Sequence, residues 1–273
     1  MSSVIKSRVV IKIGSKLVTS EDVILDIVEN IVSFNNMENE VVIVSSGAIA
    51  TGLLKLDIEK KSLDLPSKQA AASIGQVGIM NKWAQAFSKY DKSCAQILLT
   101  KSDFEDKNKY FNVRNTILKL LSWGVIPIIN ENDTVATEEI KFGDNDTLSA
   151  IVATKIDANY LIILTDVDGL YKGNPQKNKD AELVLEVAHS AFLSTRRQEV
   201  TISDVEKYAT SDGGYEFSVG GMLSKIEAAK IATSSGVETY IANGKKNICI
   251  SDIISGNVRC TKFIADNRID EII

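Results

Sequence analysis

Histidine, cysteine and proline are scarce in this sequence: it has one histidine, His189, with three cysteines and three prolines. A Ser/His/Asp or Cys/His mechanism would have to use His189, which has no sequence-local partner, and a metal site built from several histidines is excluded. Cys94, Cys249 and Cys260 are too few and too scattered for a disulfide framework or a metal knuckle. We therefore interpret His189 as an ordinary surface or capping residue.

Long apolar runs are also missing, and no segment approaches the ~20 residues that span a membrane. The first residues lack the order of basic, apolar and small residues that marks a signal peptide. The 31 basic and 36 acidic residues give a net charge of −5, which argues against a broad nucleic-acid surface. We expect a cytoplasmic globular protein with no nucleic-acid or membrane partner.

Short β-branched runs alternate with longer segments of helical period, a pattern typical of a mostly parallel sheet covered by helices. Several strand candidates are apolar without alternation, as strands covered on both faces should be. The predicted strands are Arg8–Ile13, Val41–Ser45, Cys94–Leu99, Val125–Ile129, Tyr160–Leu164, Val237–Ala242 and Val258–Phe263. The predicted helices are Glu21–Met37, Ser67–Tyr90, Asn112–Trp123, Thr147–Asp157 and Met222–Ser235.

The connecting segments are polar, and none has the composition of a long linker between domains. Thr134–Phe142 alternates like the arm of a β-hairpin, and we expect exposed loops at Asn174–Asp180 and within Thr195–Gly214. The sequence therefore predicts one continuous sheet without a tandem duplication.

Three strand-to-helix junctions carry the glycine and lysine residues that suit a bound phosphate. They read Lys12-Ile13-Gly14-Ser15-Lys16, Ser45-Ser46-Gly47-Ala48 and Gly220-Gly221-Met222-Leu223-Ser224-Lys225. Glycine lets the backbone approach a phosphate, and a helix N-terminus favours anions. Each junction taken alone is equally compatible with a plain turn or cap, and Lys12 with a solvated lysine at a strand end.

The common nucleotide-binding fingerprints are absent from the chain. Gly47 and Gly52 have the glycine spacing of a P-loop, but Leu53-Leu54 follows where lysine and serine or threonine are needed. No G-x-G-x-x-G occurs, and no H-R-D catalytic loop. P-loop, Rossmann and protein-kinase interpretations are therefore disfavoured.

Polar residues concentrate in Asn130-Glu131-Asn132-Asp133 and Gly143-Asp144-Asn145-Asp146. Turn chemistry alone explains such segments; a small polar ligand or a set of cations is the alternative. Acidic side chains this close together repel one another unless positive charge lies between them, and lysines, a substrate ammonium or a metal would supply it. Thr165-Asp166-Val167-Asp168-Gly169-Leu170-Tyr171 fits either a turn or contacts to a nucleotide.

Taken together and in this order, these segments resemble the glutamate 5-kinases of the amino acid kinase superfamily. The pair formed by Asn130–Asp133 and Gly143–Asp146 is specific to that family, and the Lys-Ile-Gly and Gly-Gly-Met segments belong to the wider superfamily. The resemblance implies a three-layer α/β/α sandwich and one kinase domain over residues 1–273, without a PUA or reductase extension. It places glutamate on residues 1–158 and ATP on residues 159–273.

The resemblance also implies roles for individual residues. Lys12 and Lys225 would flank the transferring phosphoryl group, and Asp146 would orient these lysines. Residues at or near glutamate would be Ser46, Gly47, Ala48, Asn130, Asp133, Asp144 and Asn145. The nucleotide site would comprise Lys12, Gly14, Thr165, Asp166, Val219, Gly220, Gly221, Met222, Leu223, Ser224 and Lys225. Val219 and the segment Asn174-Pro175-Gln176 depart from the family pattern, which has threonine and Asp-Pro-Arg there.

The implied reaction transfers the γ-phosphoryl group of ATP to the γ-carboxylate of L-glutamate, the first step of proline biosynthesis. A carboxylate with a reference pKa near 4.3 is already a nucleophile at neutral pH, so no histidine base is needed. Mg²⁺, a homo-oligomer and feedback inhibition by L-proline are further implications, and the residues do not identify metal ligands. The alternatives are a kinase of the same superfamily acting on acetylglutamate, aspartate, carbamate or UMP, or a non-catalytic sensor.

Overall fold

An eight-stranded sheet forms the centre of the molecule, with the strand order β3-β4-β2-β1-β5-β7-β8-β6. The computed structural model describes residues 6–59, 63–136, 145–173, 175, 178, 180–188, 200–210, 221–246 and 249–266. All pairings are parallel except that of β7 with β8. The strands are β1 Arg8–Ile13, β2 Glu40–Ser45, β3 Cys94–Leu99, β4 Ile126–Glu131, β5 Tyr160–Thr165, β6 Glu186–Val187, β7 Glu238–Asn243 and β8 Thr261–Phe263.

Helices connect the strands and cover both faces of the sheet. They are α1 Ser15–Val18, α2 Glu21–Asn35, α3 Ala48–Leu56, α4 Leu65–Ser88, α5 Ser102–Glu105, α6 Lys107–Ser122, α7 Asn145–Lys155, α8 Ile202–Thr210, α9 Met222–Thr233 and α10 Ile250–Ile254. The Asp64 side chain accepts a hydrogen bond from the Ser67 amide, which caps the N-terminus of α4. No helix in the part of the chain described here is long and apolar enough to span a bilayer.

Alternate residues of the central strands pack into two separate hydrophobic cores. Val10 and Ile163 face the layer that contains α6, α7, α8 and α9. Ile11 and Ile162 face the layer that contains α2, α4 and α10. The predicted three-layer α/β/α sandwich around a mostly parallel sheet is therefore confirmed.

The predicted strands all occur, although the last shrinks to Thr261–Phe263 and β6 was not predicted. Only part of Thr195–Gly214 is expected to be an exposed loop; within it the structure forms α8, Ile202–Thr210, whose Ile202 and Val205 are buried in the core, and residues 195–199 and 211–214 lie outside the described residues. Most of the predicted hairpin arm Thr134–Phe142 lies outside the described residues, as does His189.

Glycines let α3 and α4 pack with their backbones in direct contact. A Cβ atom on Gly75 would lie 1.8 Å from the Ala48 carbonyl oxygen, and one on Gly52 would lie 1.8 Å from the Ala71 carbonyl oxygen. Any larger residue at either position would push the helices apart. This contact sets the position of α4 relative to the turn between β2 and α3.

Candidate active site

The carboxyl ends of the central strands form the edge at which the predicted residues meet. Strand β1 pairs with β2 on one side and with β5 on the other. The strands that follow β1 in the chain (β2 to β4) lie on the β2 side, and β5 to β8 lie on the β5 side, so the strand order reverses between β1 and β5. In open parallel sheets, ligands bind outside the carboxyl ends of the strands at such a reversal. Lys12 lies near the end of β1, and Thr165 ends β5.

Lys12, Asp146 and Lys225 form a buried ion-pair cluster at this edge. Lys12 Nζ lies 2.5 Å from Asp146 Oδ1, and Lys225 Nζ lies 3.0 Å from Asp146 Oδ2. The three residues are 4%, 0% and 5% exposed, in the order Lys12, Asp146, Lys225. Ser224 Oγ lies 2.9 Å from Asp146 Oδ2 and donates to it. Within the trio two ammonium groups face one carboxylate, so positive charge is in excess where water is excluded.

Strand geometry explains why Lys12 reaches this cluster. Side chains two residues apart lie on the same face of a strand, so Lys12 shares the face of Val10. That face is covered by α7, which begins with Asn145 and Asp146, and by α9, which carries Lys225 in its first turn. The beginnings of two helices and the end of one strand therefore meet at one carboxylate.

The two lysines control the ionisation of Asp146. Burial by itself raises the pKa of this carboxyl group, but the positive charges of Lys12 and Lys225 and the hydrogen bonds they donate outweigh burial and lower the pKa to about 2. Asp146 is therefore ionised at neutral pH and keeps both ammonium groups fixed.

Asn145, the neighbour of Asp146 on α7, makes contacts on the other side of the site. Its Nδ2 donates to Asn130 Oδ1 at 2.7 Å, to Ser46 Oγ at 3.0 Å and to the Ser45 carbonyl oxygen at 3.4 Å. These contacts reach the carboxyl ends of β2 and β4. Consecutive residues of one helix thus connect the lysine cluster to a separate cluster of polar side chains.

Helix N-termini and a strand end contribute backbone groups to the site. Gly47, with φ of 104°, turns the chain from β2 into α3, whose first amide groups have no intrahelical partners and no side-chain cap from Gly47. Gly221 is the N-cap residue of α9 and also provides no side-chain cap. The next residue, Met222, is buried. Gly14 donates its amide to the Leu164 carbonyl oxygen at 3.2 Å, which fixes β1 against β5 beyond the strand end.

Thr165 and Asp166 lie at the carboxyl end of β5, on the C-terminal side of the sheet. Asp166 pairs with the exposed Lys16 of α1 at 2.8 Å. Burial raises the pKa of Asp166, but the hydrogen bond and charge of Lys16 more than offset burial, and the net pKa is lowered. Asp168 makes a similar pair with Lys246 at 2.6 Å, so polar groups continue along this side of the edge.

The predicted residues thus fall into three groups. The structure brings Lys12, Asp146, Ser224 and Lys225 into contact, and it brings Ser46, Asn130 and Asn145 into contact. It places Asp133, half-buried, in the turn after β4. The remaining described residues stand at helix starts or strand ends of the same edge: Gly14, Gly47, Ala48, Thr165, Asp166, Gly221, Met222 and Leu223. Asp144, Val219 and Gly220 lie outside the described residues.

Sequence reasoning did not identify Gln76, a buried residue in the middle of α4. Its Oε1 accepts a hydrogen bond from Asn130 Nδ2 at 2.8 Å. The sequence does contain a signal for this residue, because Gln76 is a polar residue on the face of α4 that otherwise carries small and apolar residues. The helix lies far from Asn130 in the chain, so sequence spacing could not have paired the two.

Comparisons with a family model and with individual proteins point to the same family. The model of the Amino acid kinase family matches residues 7–243. The chain is 43% identical over 263 residues to a glutamate 5-kinase of Caldanaerobacter subterraneus subsp. tengcongensis, covering 94% of this chain and 68% of that protein. It is 39% identical over 265 residues to a glutamate 5-kinase of Acinetobacter baumannii strain SDF, covering 95% of this chain and 67% of that protein.

Solved structures with the same fold include more distant proteins. A carbamate kinase from Giardia lamblia bound to AMP-PNP superposes with a TM-score of 0.66 at 16% identity, covering 96% of this chain and 99% of that chain. A UMP kinase from Ureaplasma parvum gives a TM-score of 0.61 at 16% identity, covering 95% of this chain and 99% of that chain. These likenesses concern the fold alone.

Proposed function

This chain belongs to the glutamate 5-kinases of the amino acid kinase family, and we propose that Lys12 and Lys225, held in place by Asp146, promote its phosphoryl transfer. The reaction moves the γ-phosphoryl group of ATP to the γ-carboxylate of L-glutamate and gives L-glutamyl 5-phosphate. The observation that supports these roles best is the buried carboxylate of Asp146, which holds one lysine on each oxygen.

The chemistry of the reaction suits a site that supplies positive charge and no base. The acceptor carboxylate is ionised at neutral pH, so the obstacle is to bring two anions together and to stabilise charge on the moving phosphoryl group. Preorganised ammonium groups in a site with little water do this without moving a proton. Asp146 does not touch the reacting atoms in this proposal; it keeps Lys12 and Lys225 in place.

The polar cluster around Asn145 offers hydrogen-bond donors for a carboxylate group and a negative charge for the α-ammonium group of an amino acid. Ser46 Oγ accepts from Asn145 Nδ2, so the serine hydrogen can be donated to a substrate carboxylate. The first amides of α3, next to Gly47 and Ala48, add donors for the same kind of group. The half-buried Asp133 supplies a negative charge for the α-ammonium group. We therefore place glutamate among the residues that end β2 and β4.

ATP is placed on the other side of β1, among the residues that follow β5 and begin α9. Thr165 and Asp166 offer hydrogen-bonding groups, and the uncapped N-terminus of α9 after Gly221 offers backbone amides that suit the phosphates. This proposal divides the sheet between two ligands, with residues 1–158 for glutamate and residues 159–273 for the nucleotide.

Mg²⁺ enters this proposal as the ion carried by the ATP phosphates. Among the described residues no group of three or more His, Cys, Asp or Glu side chains could hold a metal ion, and both oxygens of Asp146 bond to lysines. The residues that the structure describes therefore do not fit a resident metal site, whereas Mg²⁺ bound mainly through substrate phosphates needs few protein ligands.

A homo-oligomer and feedback inhibition by L-proline complete the proposal, as properties that the sequence resemblance implies. Sedimentation velocity tests the first, and titration of the activity with L-proline tests the second.

The proposed reaction is tested by ATP-dependent formation of acyl hydroxamate from L-glutamate, compared with acetylglutamate, aspartate and carbamate. UMP is tested in parallel by release of ADP. We expect product with L-glutamate and little with the other acceptors. No product with L-glutamate, or a clear preference for another acceptor, would overturn the proposal.

A further inference from the structure

A chain of three side-chain amides crosses the polar cluster, from Gln76 on α4 through Asn130 on β4 to Asn145 on α7. Asn130 Nδ2 donates to Gln76 Oε1 at 2.8 Å, and Asn145 Nδ2 donates to Asn130 Oδ1 at 2.7 Å. Gln76 and Asn130 are 8% and 2% exposed. Gln76 Oε1 and both polar atoms of Asn130 therefore depend on neighbouring protein groups for hydrogen bonds that water does not supply.

One backbone group fixes the direction of the whole chain of amides. The Glu131 amide donates to Asn130 Oδ1 at 2.9 Å, and a backbone N–H can only donate. Asn130 must therefore turn its oxygen toward Glu131 and Asn145, and its nitrogen toward Gln76. It follows that Gln76 presents its oxygen to Asn130, and that Asn145 presents its nitrogen to Asn130 and its oxygen away from it.

This orientation of the three amides leaves an acceptor, the Asn145 oxygen, at the end of the series that lies next to Asp146 in the lysine cluster. Among the described residues, the buried atom Asn145 Oδ1 has no hydrogen-bond partner. A buried acceptor without a partner raises the free energy of the folded state, and a ligand donor in contact with it would remove that cost. Of the groups that glutamate and the phosphoryl group carry at neutral pH, only the α-ammonium is a donor.

We propose that Gln76 is a positioning residue for substrate specificity: it holds Asn130 and, through it, Asn145, so that Asn145 Oδ1 receives the α-ammonium group of the amino acid substrate. The inference rests on the proposed function, since it assumes that glutamate occupies this cluster. It extends that function to a residue of α4, whose own Nε2 is, like Asn145 Oδ1, buried without a hydrogen-bond partner among the described residues. The backbone contact of Gly75 with Ala48 places α4, and so Gln76, close to the turn that carries Ser46.

Replacing Gln76 by leucine removes the acceptor that faces Asn130 Nδ2 and leaves a buried donor without a partner. The Glu131 amide still directs Asn130 Oδ1, but the nitrogen of Asn130 loses its acceptor on Gln76, so Asn130 and through it Asn145 Oδ1 are held less firmly in position. We expect Gln76→Leu to raise the KM for L-glutamate by about 5-fold to 100-fold, with the KM for ATP within about threefold of its normal value. The kcat at saturating glutamate should change much less than the KM.

Glutarate, which is glutamate without its amino group, separates positioning from a general structural role. As a competitive inhibitor against L-glutamate it cannot use Asn145 Oδ1, so its inhibition constant should change less than about threefold in Gln76→Leu. Gln85→Leu, the same substitution on the exposed side of α4, is the matched control and should leave all of these constants unchanged.

The experiment measures both KM values, kcat and glutarate inhibition for the unmodified protein, Gln76→Leu and Gln85→Leu. If Gln76→Leu does not fold, Gln76→Met, which is unbranched and of similar length, replaces it. An unchanged KM for L-glutamate, an equal rise for ATP, or an equal loss of glutarate binding would overturn the inference. Failure of the unmodified protein to phosphorylate L-glutamate would instead overturn the proposed function.

Discussion

Lys12 Nζ lies 2.5 Å from Asp146 Oδ1, with both side chains almost completely buried. A lysine in this position would be strongly destabilising without a partner, and Asp146 is in turn compensated by Lys225 on its second oxygen. The pair therefore stabilises the fold and also holds positive charge at the carboxyl end of the central strand. Stability and the proposed activity depend on the same contacts.

Asp146→Asn should be destabilising, because it leaves two buried lysines without their carboxylate. Removing one partner of a buried ion pair typically costs about 3–5 kcal/mol. Urea unfolding at pH 7 measures this loss. Asp157→Asn, at an exposed carboxylate that pairs with Arg114, is the control and should stay within about 1 kcal/mol of the unmodified protein. Equal stability of the two variants would contradict the structural role of Asp146.

The stability of the unmodified protein should fall in acid partly through Asp146. Its pKa is lowered from 3.8 to about 2, so its contribution is present above pH 3.8 and is lost as the pH falls through 2. The size of this contribution is about 2 kcal/mol. Urea unfolding between pH 5 and pH 2 should therefore show a steeper decline for the unmodified protein than for Asp146→Asn. Parallel declines would show that Asp146 is not a source of the acid sensitivity.

Asp133→Asn should weaken the binding of L-glutamate, because it removes the negative charge proposed to face the α-ammonium group. A hydrogen bond to a charged group contributes about 1.5–3 kcal/mol, so the KM for L-glutamate should rise about 10-fold to 100-fold. The KM for ATP should stay the same, and Asp157→Asn again serves as the control in steady-state kinetics. A variant that keeps its apparent affinity for glutamate would exclude this role for Asp133.

Gly75→Ala should separate α3 from α4, since its Cβ would lie 1.8 Å from the Ala48 carbonyl oxygen. Overpacking of this kind costs about 1–3 kcal/mol, and the shift of α4 should also raise the KM for L-glutamate. Gly78→Ala is the matched control on the same helix, where the nearest atom would be a Thr51 methyl group at 3.3 Å. Thermal unfolding of both variants gives the comparison, and equal midpoints would contradict the helix contact described here.

The sequence predicted the central sheet well because buried parallel strands are short, apolar and β-branched. Arg8–Ile13 and Cys94–Leu99 were predicted with the bounds that the structure has. Strand β6 is not predicted because two residues are too few to show a pattern. Helix α8 is not predicted because the segment around it is polar. The structure begins α4 at Leu65, two residues before the predicted Ser67, whose amide donates to the Asp64 cap.

The site was predicted in part from residue types, and in part only from the resemblance to a family. The glycines and lysines of the phosphate-binding segments stand at strand ends and helix starts, where general principles expect anions to bind. The contact between Lys12 and Lys225 through Asp146 depends on tertiary structure, and spacing along the chain could not have shown it. Gln76 was missed for the same reason, since its partner Asn130 comes from another element.

The most direct test of the proposed mechanism is kcat at saturating ATP and L-glutamate for Lys12→Ala and Lys225→Ala. Loss of one preorganised electrostatic contact lowers the rate by about 10²–10³-fold, and we expect at least this loss in each folded variant. Lys230→Ala, at an exposed lysine of the same α9 that pairs with Glu206, should retain nearly full activity. Near-normal kcat in either Lys12→Ala or Lys225→Ala would contradict the mechanism.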